Sequence, residues 1–90
     1  MTMTFDRKEY EEFVAAMIED ERPRMFAVLR EYGECEDAEV VAWGFAWTGH
    51  ATALLPGGNV LRSGSADRAA RVLERGHHGP TRLVWMDHSA

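Results

Sequence analysis

Val40-Val41-Ala42-Trp43-Gly44-Phe45-Ala46-Trp47 is the stretch whose reading decides the fold. Side chains alternate sides along an extended backbone. Val41, Trp43, Phe45 and Trp47 therefore point one way, and Val40, Ala42, Gly44 and Ala46 the other. One face is bulky and aromatic, the other nearly flat. A strand over residues 39–48 follows, with the aromatic face expected in a core beneath a helix, because large aromatics carry the most burial energy. The flat face would let a second helix approach closely. If the helices fail to cover both faces, the aromatic one becomes an interface or the wall of an apolar pocket.

Upstream, residues 24–32 (Arg-Met-Phe-Ala-Val-Leu-Arg-Glu-Tyr) satisfy two templates. Met25, Val28, Leu29 and Tyr32 have helical spacing, whereas Phe26, Val28 and Tyr32 share one face of a strand. The strand is preferred because a turn over residues 33–38 would then pair it with the aromatic strand as a hairpin. A helix over 24–32 is the alternative. Before it, Asp6 and Glu9 have capping-box spacing, with Phe5 placed to staple onto Tyr10. Tyr10, Phe13, Val14, Met17 and Ile18 continue as an apolar stripe with acids around it, and Pro23 ends the helix.

Downstream, Thr48-Gly49-His50 is a turn and residues 51–55 a partner strand. Pro56-Gly57-Gly58-Asn59 is a strong turn signal, followed by a short strand at residues 60–62. Ser65 caps a helix over 66–75 that ends at Gly76, with Ala66, Ala69, Ala70 and Leu73 on its inner side. Residues 81–86 close the chain as a strand, apolar on both faces and so expected in the sheet interior or at a covered edge. The fold class is α+β: a single domain of order α-β-β-β-β-α-β, with a mostly antiparallel sheet and helices packed on it. The alternative for 24–32 gives α-α-β-β-β-α-β.

Ninety residues leave room for one core, and 46% apolar with 28% charged residues is the composition of a folded domain, not a disordered one. No apolar run approaches the roughly 20 residues needed to span a bilayer, and residues 1–10 lack the pattern of a secretory leader. With one cysteine, Cys35, no internal disulfide forms, which fits a reducing cytoplasm. Nine arginines against one lysine suggest a GC-rich bacterial gene. Residues 1–39 hold twelve acids against five bases, giving −7; residues 40–90 hold three against five, giving +2. This balance speaks against nucleic acid and anionic membranes and leaves a basic protein partner open.

No catalytic set emerges. Cys35 lies among Glu34, Glu36 and Asp37, whose charge opposes a thiolate. His50, His77, His78 and His88 lack the spacing of a zinc site, so neither metal nor cofactor is expected. Arg62-Ser63-Gly64-Ser65 opens a helix as an anion site would, but ordinary capping accounts for it. The candidate interface or ligand residues are Trp43, Phe45, Trp47 and Trp85, with a helical stripe of Arg68, Arg71 and Arg75 that Arg62 and Arg82 would loosely extend. These residues favour a non-catalytic interaction module that forms a homodimer or docks on a protein partner through its sheet. The alternatives are a small-molecule binder or minor enzyme with a tryptophan-lined pocket, and an immunity or antitoxin-like inhibitor of a basic protein.

Overall fold

A computed structural model describes residues 6–77 and 79–86 of the chain. Phe5, His78 and His88 lie outside the described residues. In chain order the elements are α1 (Arg7–Glu21), β1 (Arg24–Tyr32), β2 (Asp37–Trp47), β3 (His50–Leu54), β4 (Val60–Ser63), α2 (Ala66–His77) and β5 (Thr81–Trp85). This is the expected α+β order, with residues 24–32 as a strand. The five strands form one antiparallel sheet in the order β4-β3-β2-β1-β5.

Local chemistry accounts for the connections. Asp6 caps α1, its Oδ1 accepting the Glu9 amide at 2.8 Å. The carboxyl of Asp6 is held below its ordinary value of 3.8, chiefly by that amide. In the β3–β4 turn, Gly57 and Gly58 both sit at φ 91°, where any side chain would be strained. Ser65 caps α2 by accepting the Arg68 amide at 3.1 Å. The β4–α2–β5 connection crosses the whole sheet from one edge to the other. At its far end, Thr81 donates its hydroxyl to the Ala70 carbonyl and its amide to Glu74 Oε2, both at 3.1 Å. The closing strand β5 is thus an edge strand tied to α2.

The core lies between α2 and the flat face of the sheet. Phe26, Val28, Val41, Ala42, Ala51, Ala53, Ala66, Ala70 and Leu73 form its buried cluster, with Phe26 and Val28 the largest side chains fully enclosed. Alanines on both sides let helix and sheet approach closely, and Phe26 fills the remaining space. Its ring lies directly over Gly44, its cross-strand partner: a Cβ added at Gly44 would sit 2.2 Å from Phe26 Cζ. The ring meets Trp85, its partner on the other side, edge-on with centroids 5.6 Å apart.

Three expectations are corrected here. The aromatic face is not the core beneath a helix; α2 covers the face of Ala42, Gly44 and Ala46 instead. The alternation of β2 also breaks at its start: the register shifts between Val28 and Leu29, leaving Val41 as an extra residue that joins the buried cluster and leaves the tryptophan row. The first helix forms where its capping box places it, but it does not pack on the sheet. It has no buried residue and builds no packed interface with another element among the described residues.

Candidate interaction surface

Cross-strand pairing defines the uncovered side of the sheet, because directly paired residues project from the same face. One row runs across all five strands: Val60 pairs with Leu54, Leu54 with Trp43, Trp43 with Ala27 and Ala27 with Val84. The next row joins Arg62, Thr52, Phe45 and Met25, with the Met86 amide donating to the Met25 carbonyl at the far edge. Beyond it, Trp47 pairs with His50, and the two rings stack with centroids 4.9 Å apart and planes 10° from parallel.

These side chains face solvent. Trp43 is 43% exposed, Leu54 46% and Val60 53%, and Met25 and Trp47 are also exposed. Ala27, the small member of the first row, is buried between its neighbours. A contiguous apolar patch of this kind is uncommon on a monomer. Its charges are few: Arg62 at the β4 edge, and Arg82, which pairs with Leu29 across the β1–β5 ladder and reaches Glu31 at 3.7 Å.

The sequence candidates divide between surfaces. Trp43, Phe45 and Trp47 belong to the open face. Trp85 lies on the α2 side, half-buried against Phe26, with the Arg24 guanidinium 4.0 Å from its ring centroid. Arg68, Arg71 and Arg75 are exposed on α2, on the opposite side of the sheet from Arg62 and Arg82, so the five arginines do not form one stripe. A further apolar surface is that of α1: Tyr10, Phe13 and Met17 are about half exposed and Ile18 59%. The spacing of apolar positions in β3 and β4 carries a signal for the open face that the aromatic strand overshadowed. Leu54 and Val60 share the parity of Trp43, while Ala51 and Ala53 share that of Gly44.

The hollow beside Trp43, about 320 Å³, is lined by Val40–Ala42, Leu54, Leu55 and Pro56, and that beside Trp47 and His50 by β3 and β4 residues. Both open to solvent, and the two tryptophans do not line either one together. Cys35 is exposed in the β1–β2 turn at φ 57°. Among the described residues, no three His, Cys, Asp or Glu side chains stand close enough to hold a metal ion, and no helix is long and apolar enough to cross a membrane. The phenol of Tyr32 donates to Glu39 Oε1 at 2.5 Å, and this bond raises its pKa above the usual 10.0. Comparison with family models, with curated proteins and with solved structures finds no match to this chain.

Proposed function

We propose that this chain is a non-catalytic interaction module of the bacterial cytoplasm, which self-associates or docks on a protein partner through the open face of its sheet. The observation that carries this reading is the exposed row Val60–Leu54–Trp43, continued by Phe45 and Met25, on a sheet whose other face is already filled by α2. A sheet buries its apolar faces against another layer, and the described residues supply only one. The acidic α1 gives the contact an electrostatic preference, so association should weaken as salt rises.

The test separates contact surface from core. Leu54→Lys and Val60→Lys should leave the urea midpoint of the isolated chain within about 0.5 kcal/mol of the parent, as surface changes do, while abolishing association. A loss of about 2 kcal/mol or more for either in the monomer would mean that the face is core, and the reading would fail.

A further inference from the structure

We infer that the occupant of the open face is α1 of a second copy, and that two chains exchange these helices reciprocally. This inference rests on the proposed role of the sheet face and adds what covers it.

The chain carries two exposed apolar surfaces of complementary kind, a helix stripe and a sheet face. Helix on sheet is a stable layer pairing. The connection between them keeps α1 off its own sheet. Arg22 is extended at φ −61°, ψ 124°, Pro23 follows, and β1 starts at Arg24, so two residues join helix to strand without reversing the chain. A 15-residue helix and a nine-residue strand placed end to end span roughly 50 Å. The 63 Å length of the chain, against 26 and 22 Å across, is that of a helix projecting beyond the sheet. A free helix of this length is marginal in water, so a partner is needed to hold it.

The dimensions agree. From Tyr10 to Ile18 the stripe rises roughly 12 Å, and the open face is roughly 19 Å wide from β4 to β5. A half-exposed aromatic leaves on the order of 100 Å² to bury. Stripe and face together then offer roughly 800 Å² per chain, and a reciprocal pair roughly 1,600 Å², the size of a stable interface. Charge agrees as well: α1 carries six acids against Arg7 and Lys8, and the face it would cross is bordered by Arg62 on one edge and by the Arg82–Glu31 pair toward the other. Reciprocal exchange closes the assembly at two copies.

The experiment uses full-length chains and sedimentation equilibrium from about 1 to 100 µM. The parent should be a dimer. Met17→Gln/Ile18→Gln, on the exposed helix, and Leu54→Lys, on the face, should each raise the dimer Kd by about a hundredfold or more. Mixing the two should restore a heterodimer, because the intact helix of one meets the intact face of the other. Far-UV circular dichroism confirms that each variant keeps its sheet. A parent that stays monomeric at 100 µM, or one that grows beyond a dimer, overturns the inference. So does a dimer that Leu54→Lys breaks and the helix variant leaves intact; the sheet face would then be a contact surface with a different occupant. If neither variant alters the dimer, the face is not the contact and both readings fall.

Discussion

Gly44→Ala probes the contact that sets which side of the sheet is core. The added Cβ would stand 2.2 Å from Phe26 Cζ and 2.6 Å from both Cε atoms. Carbon atoms in contact sit at about 3.5–4.0 Å, so the ring must withdraw by more than about 1 Å. It has nowhere to go: Phe26 is fully buried, with Trp85 edge-on at 5.6 Å and α2 above the same sheet face. Overpacking of this kind costs about 1–3 kcal/mol. Complete expulsion of the ring sets an upper bound of about 3–5 kcal/mol. Restricting the unfolded chain by replacing glycine returns about 0.4–1 kcal/mol. The net expectation is a loss of about 1–3 kcal/mol.

Urea denaturation with the midpoint and slope fitted together measures it. The paired control is Phe26→Leu, which by itself loses stability but makes room above residue 44. Gly44→Ala should then cost less in the Phe26→Leu background than in the parent, with a coupling of about 1 kcal/mol or more. A change within about 0.5 kcal/mol in the parent, or equal costs in both backgrounds, would refute the placement of the ring over Gly44.

Asp6→Ala should lower the helix signal in far-UV circular dichroism at pH 7. The native carboxyl is held below 3.8, so its contribution is present above that value and lost as pH falls through the native one; parent and variant should converge only once the pH is below the native value. A gap that ignores pH would show that Asp6 does not cap α1. Tyr32 should titrate above 10.0 by ultraviolet absorbance, and Glu39→Gln should bring it back toward 10.0. With a raised native value, the stability it lends is present below pH 10 and lost as pH rises through the native value; a Tyr32 titration that Glu39→Gln leaves unmoved would refute the bond. Cys35→Gly should gain about 0.5 kcal/mol in urea, because a left-handed backbone strains any side chain there; a loss would mean that the thiol makes a contact worth keeping.

The strands, turns and caps were legible in the sequence because each rests on neighbours along the chain. Period-two alternation marks β2, Gly57-Gly58 the turn after β3, and Asp6 and Ser65 the two helix starts. Which face of β2 turns inward was not, because that depends on volumes brought together from elsewhere. The flat face of Ala42, Gly44 and Ala46 becomes core only when β1 lays Phe26 over Gly44 and α2 brings Ala66 and Ala70 against it. The register that does this includes the extra residue Val41, which strict alternation assigns to the tryptophan side.

Burial strength and burial side are therefore separate questions in this chain. Tryptophan gains most from leaving water, but a helix can approach a sheet closely only over small side chains, and α2 has its own alanines to match them. Close packing by α2 on the flat side leaves the tryptophan side for another layer. The α1 stripe has the composition to be that layer, and Arg22-Pro23 directs it past the end of its own β1. On the proposed exchange of helices, the same two residues that end the helix turn an intrachain packing problem into one between chains, and shortening or lengthening this connection should alter association before it alters the fold of the sheet.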